Sequence, residues 1–193
     1  MNARLLVGVD VNLPEIACGV YPTPARVVER YRSDAAVGDR RFDLILALDV
    51  IEHVADDRAL LADVVARRTR PGSLVLVTVP AFQSLFSDHD HALRHFRRYR
   101  VAQLRTVLRS TGLQILEDGY LFASLLAPRA VAVLRERIGQ HRPDHGIGSW
   151  HGPPWLTQLA AATLTLDAQA LLAARHLGIR LPGLTAWALC AVR

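Results

Sequence analysis

The sequence predicts an α/β protein, an open sheet with helices on its faces, and three observations lead there. Short apolar runs of strand length recur (LLVGVDV, FDLILAL, SLVLVTV), each followed or ended by an acid or a proline, as buried parallel strands are. Segments with apolar residues at helical spacing lie between the later runs, and proline or glycine closes them. The rhythm strand, helix, strand, helix, strand is that of helices packed on a sheet. At 193 residues, with 51% hydrophobic and 21% charged residues, the chain suits one domain with a real core and is too apolar for disorder.

Taken in order, Leu5 to Val11 reads as a buried strand that delivers Asp10 at its carboxyl end. Asn12 to Pro24 reads as irregular, and Arg26 to Arg32 as a strand presenting Ser33 and Asp34. Phe42 to Leu48 is a second clear buried strand, with DVIEHV at its end. Asp56, Asp57 and Arg58 then open a helix carrying Leu60, Leu61, Val64 and Val65, stopped by Pro71 and Gly72. Ser73 to Val79 is the third buried strand. Val101 to Ser110, ended by Gly112, is a helix, and Gln114 to Phe122 a strand. Ser124 to Ile138 reads as a helix, Gly139 to Pro154 as a loop near a pocket mouth, Leu156 to Leu177 as a long apolar helix, and Leu184 to Val192 as a terminal edge strand.

Charge says less than it first suggests. All 23 basic residues are arginine, and against 18 acids they leave +5. They are spread along the chain rather than gathered in a block, which argues against nucleic acid. Aromatic residues for stacking bases are thin, with Phe96 and Tyr99 alone beside the arginines of HFRRYR. Cys18 and Cys190 lie near opposite ends without a Cys-x-x-Cys pairing, which predicts inert thiols in a reducing cytoplasm, and no export signal is evident. The longest uncharged stretch is broken by Pro153 and Pro154, so no transmembrane segment is expected. The long apolar helix reads first as packed core, and docking on a membrane surface is its second reading.

In an open parallel sheet, ligands bind beyond the carboxyl ends of the strands. Asp10, Asp34, Asp49 and the segment Ser87 to Arg98 fall at such ends. A carboxylate there can accept hydrogen bonds from both ribose hydroxyls, or serve as a helix cap or turn acid. Asp49, Glu52 and His53 are spaced so that one loop or helical turn aims them into a single site, with His89, His91 and His95 available from the later segment. Arg94, Arg97, Arg98 and Arg100 either clamp a carboxylate or phosphate or form a solvated basic helix start.

FDLILALDVIEHVADD, the helix after it, RPGSLVLVTVPAF and then SDHDHALRHFRRY resemble, in order and spacing, the body of a class I S-adenosylmethionine-dependent methyltransferase of the small bacterial type. The likeness runs from Leu5 to about Phe122 and is best over Phe42 to Leu104. It implies a Rossmann-like sheet, mostly parallel with an antiparallel terminal strand, N-terminally incomplete, followed by C-terminal helices in a single domain. It implies S-adenosylmethionine as cofactor, with Asp10 and Val11 at the ribose and Asp34 and Ala35 bordering the adenine. Leu48, Asp49 and Val50 would complete the cofactor set, and Asp49 to His53 would line the methionine and acceptor side. Glu52, His53 and His95 would be the catalytic residues.

The sequence departs from the family at its start. The family's first strand, glycine-rich turn and helix occupy roughly 30 residues, no G-x-G-x-x-G occurs, and only nine residues precede Asp10. A fragment begun at an internal methionine, an incomplete domain that binds cofactor poorly, a non-catalytic relative serving as an interaction protein, and a degenerate turn DVNLPE after a first strand at Leu5 to Val11 all fit that departure.

Asp49, Glu52, His53 and His95 are also similar to the metal site of methyltransferases that modify RNA 3′ ends and of ubiquinone-pathway O-methyltransferases. Asp49 replaces a glutamate there. Such a set would suit Mg2+ or Mn2+ better than structural zinc, and the competing reading has Glu52 capping a helix and His53 packing on the cofactor, with no metal. The resulting expectation is a cytoplasmic O-methyltransferase for a small-molecule or lipid-linked acceptor. Peripheral membrane contact and a homo-oligomer both remain compatible with it.

Overall fold

Residues 5–9, 27–31, 37–139 and 152–193 are described by the computed structural model. The chain divides at Met1–Arg41 and Phe42–Arg193 into units that are taken one at a time. In the first, β1 (Leu5–Val9) and β2 (Val27–Tyr31) pair in parallel, Leu5 opposite Val27 through to Val9 opposite Tyr31. Both strands lie where the apolar runs predict them. The expected cofactor residues Asp10, Val11, Asp34 and Ala35, and Cys18, lie outside the described residues.

The second unit is a four-stranded sheet with helices. Its strands are β3 (Leu44–Leu48), β4 (Leu74–Pro80), β5 (Gln114–Leu121) and β6 (Thr185–Ala191), in the order β3, β4, β6, β5. β3 and β4 are parallel, and β6 is antiparallel to both β4 and β5. β3, β4 and β5 therefore run in one direction, and their carboxyl ends share one edge of the sheet.

Two strands depart from expectation. β6 was expected at an edge but lies between β4 and β5. The reason is legible in TAWALCA, which is apolar on both faces and buries Ala186, Trp187, Ala188 and Cys190, as an interior strand requires. β3 was expected to be buried, yet Leu44, Leu46 and Leu48 are exposed. Among the described residues β3 pairs with β4 alone, so it forms an edge of this sheet.

The core lies on one face of the sheet. Val75, Val77 and Val79 alternate along β4 and pack with Ala186, Ala188 and Cys190 of β6 and with Leu104 and Leu108 of α3 (Val101–Ser110). Four other helices among the described residues complete the frame with it. α1 (Asp57–Arg68) starts where the Asp56 carboxylate accepts the Ala59 N–H at 2.9 Å, satisfying an amide that the first turn leaves open. α2 (Asp88–Ala92) is one short turn opened by Ser87. α4 is Leu126–Arg137 and α5 is Pro154–His176.

α5 begins two residues earlier than expected because Pro154 occupies its first position, where a missing N–H has no consequence. On the face opposite the valines, Trp187 lies across from Gly119, where a Cβ would come within 3.2 Å of the indole nitrogen. Glycine leaves room for the ring, and Arg175 of α5 stacks above it at 5.5 Å. Burial pushes the Cys190 thiol up to about 12, with Asp118 adding to the effect, so it is inert at neutral pH as expected. No helix among the described residues is long and apolar enough to cross a membrane.

Candidate active site

The shared carboxyl edge of β3, β4 and β5 carries left-handed backbone at non-glycine residues. Asp49 (φ 51°) follows β3, Phe82 (φ 61°) follows the end of β4, and Phe122 (φ 62°) follows β5. Such conformations cost of order 1–3 kcal/mol each and gather at functional edges. Asp49 is held there by Thr78 of β4. Its N–H donates to the Thr78 carbonyl at 3.0 Å, and the Thr78 hydroxyl donates to Asp49 Oδ1 at 3.1 Å. Leu48, Asp49 and Val50 are all exposed, Asp49 offering its carboxylate between two apolar side chains.

Immediately after them a single 3-10 turn, Ile51–His53, drives Ile51 into the core and Glu52 in beside it. The Glu52 side chain is 0% exposed, and neither carboxylate oxygen has a hydrogen-bond partner. Burial is the main reason its carboxyl is pushed up to about 8, with Asp49 and Asp90 adding to the shift. A glutamate capping a helix would have its oxygens engaged; these are not.

His53 and His95 stand beside that carboxyl. Their rings meet edge to face with centroids 4.6 Å apart. One ligand atom each from Glu52, His53 and His95 lies within 4.8 Å of the others. The segment bearing His95 is held down by the Phe96 N–H, which donates to the Glu52 carbonyl at 2.7 Å. His53 is kept neutral over a wider pH range, because burial and the neighbouring His95 both lower its pKa. Asp49 is not part of this group, and its Oδ1 accepts from the Thr78 hydroxyl.

Asp90 fixes the orientation of His95. Its Oδ1 lies 2.9 Å from His95 Nδ1 and accepts from Arg98 Nε at 2.7 Å, while Oδ2 accepts from Arg129 at 3.0 Å and from the Ser87 N–H at 3.1 Å. Burial alone would raise the Asp90 carboxyl, but the bonds from Arg98 and His95 outweigh it and hold the group below the usual carboxylate range. An ionised Asp90 requires the proton of His95 on Nδ1, which leaves the other ring nitrogen open as an acceptor.

The structure thus brings Glu52, His53 and His95 together, with Leu48, Asp49 and Val50 adjoining them in sequence at the strand end. His89 and His91 are not part of the group; the His91 ring packs edge-on against Phe86. The expected anion clamp is corrected in part, because Arg98 is buried on Asp90 and the Ala81 carbonyl, and Arg97 is engaged by Asp57 and the Ala55 carbonyl. Asp90 and Arg129 are the site residues that sequence reasoning missed. Asp90 carries no assigned role within SDHDHALRHFRRY, and its burial and its bond from Arg129 of α4 distinguish it.

Over residues 5–118, more than half of the chain, the sequence matches the model of a methyltransferase domain family. No curated protein sequence matches it. Among solved structures it is similar to a SAM-dependent methyltransferase from Archaeoglobus fulgidus, at 15% identity and a TM-score of 0.50, covering 96% of this chain and 75% of that one. It is also similar to an S-adenosylmethionine-dependent methyltransferase from Mesorhizobium loti, at 12% identity and a TM-score of 0.50, covering 98% and 81%. A third likeness is to phosphoethanolamine N-methyltransferase 2 of Haemonchus contortus in complex with S-adenosyl-L-methionine, at 15% identity and a TM-score of 0.48, covering 99% and 49%. At these identities the structural likeness is one of fold, and with the family match over residues 5–118 it assigns the chain to the class I S-adenosylmethionine-dependent methyltransferases.

Proposed function

We propose that the chain transfers a methyl group from S-adenosylmethionine to a hydroxyl oxygen of a small-molecule or lipid-linked acceptor, in the cytoplasm. The observation that supports this most is the buried Glu52 carboxyl, without partners, beside two imidazoles at the carboxyl edge of parallel strands. The residues there fit the cofactor's methionine end: Asp49 offers a carboxylate to an ammonium group, and Leu48 and Val50 offer apolar surface beside it. Asp10 with Val11 is proposed to hold the ribose, and Asp34 with Ala35 to border the adenine.

S-adenosylmethionine supplies an activated methyl: the sulfur–methyl bond breaks with the electron pair going to sulfur, and an oxygen–methyl bond forms. The chain's part is orientation and removal of the hydroxyl proton. That proton passes to the open ring nitrogen of His95, and Asp90 stabilises the imidazolium through Nδ1. Above a pH of about 8, where its carboxyl ionises, Glu52, within 4.8 Å of both imidazoles, can take the proton onward. A group with a pKa near the operating pH both takes and gives up a proton readily. His53, exposed at the surface, faces the side from which an acceptor arrives.

Glu52, His53 and His95 also fit a divalent cation, since their ligand atoms lie within 4.8 Å of one another and the Glu52 oxygens are otherwise orphaned. They are the residues that would hold Mg2+ or Mn2+, whose charge would lower the pKa of a bound hydroxyl.

The test is calorimetric titration of S-adenosylhomocysteine into the chain and into Asp10→Ala and Asp49→Ala. The expected result is saturable heat with the chain and affinity at least tenfold weaker in both variants. No heat at about 1 mM ligand, a concentration that detects binding as weak as about −4 kcal/mol, would overturn the proposal.

A further inference from the structure

The helix α5 carries apolar residues on opposite faces. Its inner face packs on β5 and buries Leu171. Its outer stripe runs through Trp155, Leu159, Leu166 and the capping Leu177, which are 65%, 57%, 66% and 78% exposed. The spacings of 4, 7 and 11 residues keep these positions within a narrow sector of the helix. The exposed positions between them on that sector, Ala162, Ala170 and Ala173, are alanine.

α4 repeats the pattern with Val131, Leu134 and Ile138, all exposed. Single exposed leucines are ordinary, but aligned stripes of this length on two helices that both pack against the turn Ala123–Leu125 mark a surface that meets something else.

The charges say what that something is. Among the described residues from Ser124 to Gly139 and from Gly152 to Pro182, no exposed position carries Asp or Glu. Glu136 is half-buried and accepts the Asp88 N–H at 2.7 Å, and Asp167 is half-buried and accepts from the Ser124 hydroxyl at 3.1 Å. The exposed ionisable residues of these segments are Arg135, Arg137, which also donates to the Ser84 carbonyl, His176, and Arg180, which lies 3.5 Å from the buried Asp118 carboxylate. A second copy of the chain would bring arginines against arginines with no carboxylate between them, which disfavours self-association across this face. A surface that takes both aliphatic stripes and cations is an anionic lipid headgroup layer, with leucines among the acyl chains and guanidinium groups at the phosphates.

We propose that the outer faces of α4 and α5 dock the protein on an anionic membrane surface, with α5 lying in the interface plane. The inference goes beyond the methyl-transfer reading and does not depend on it, because docking uses none of the residues of the strand-end site. If both hold, a lipid-linked acceptor is met where the protein already lies.

The experiment is co-sedimentation of the full chain, without cofactor, with vesicles of phosphatidylcholine alone and of phosphatidylcholine containing about one part in three of phosphatidylglycerol. At about 0.1 M salt, binding to the anionic vesicles is expected to be at least tenfold stronger, and to fall as salt rises. L159E/L166E is expected to abolish sedimentation, and R135E/R137E to remove the preference for anionic vesicles, with circular dichroism unchanged in both. Absence of sedimentation with either vesicle, or sedimentation unaffected by both variants, would overturn the proposal. So would a stable dimer in light scattering that L159E/L166E disperses, which would give the face to a second copy or another protein.

Discussion

α3 and α5 are drawn from the same aliphatic residues and end up differently. α3 turns Val101, Leu104, Val107 and Leu108 inward against β5, β6 and α1, and its remaining surface is polar. α5 buries Leu171 and keeps an equally regular stripe outside. The first helix has one face to bury and the fold buries it. The second has two, and the fold provides for one. The difference teaches that an apolar period locates a helix's packed face only when the opposite face is polar.

The comparison can be broken hardest where the outer helices are fastened to the interior. Arg129 of α4 reaches Asp90, which also holds Arg98 and His95. Asp90→Ala strands two arginines in a buried setting and is expected to cost about 3–5 kcal/mol in urea unfolding. Leu104→Ala, at a fully buried position of α3, should cost about 2–5 kcal/mol by the same measurement.

A pH series sharpens the interior side. Folded Glu52 keeps its proton up to about 8, against an ordinary value of 4.5 when unfolded. Between those values the folded state binds more protons than the unfolded one, so stability falls as pH rises through the window and levels off above it. Melting temperatures of the wild type with chelator present should show that decline, on the order of a few kcal/mol in total, and Glu52→Gln should remove it. The smallest effect lies outside: Leu159→Ser or Leu166→Ser should change stability by no more than about 0.5 kcal/mol, because more than half of each residue's surface stays in water.

The strands and the helices α1, α3 and α4 are legible from period and punctuation, since valine alternation, the Asp56 cap and Gly112 act locally. The position of β6 is not, because its insertion between β4 and β5 is decided by pairing between segments about seventy and more than a hundred residues apart. Likewise Glu52, His53 and His95 can be chosen as reactive residue types in the family's order, whereas the burial that raises the Glu52 carboxyl depends on Ile51 entering the core. Asp90 and Arg129 illustrate the limit. An acid and an arginine 39 residues apart carry no local sign that they meet.

The central proposal is that, above the pH of about 8 at which Glu52 ionises, Glu52, His53 and His95 act as one proton-accepting set for a hydroxyl acceptor. It is tested most directly by rates of transfer from radiolabelled S-adenosylmethionine to hydroxyl-bearing lipids and small molecules, for the wild type, Glu52→Gln, His95→Gln and the double variant. S-adenosylhomocysteine affinity is measured alongside. The expected result is a loss of about a hundredfold or more in each single variant, a double variant no slower than the worse single one, and unchanged cofactor affinity. Full transfer rates in Glu52→Gln and His95→Gln would contradict it.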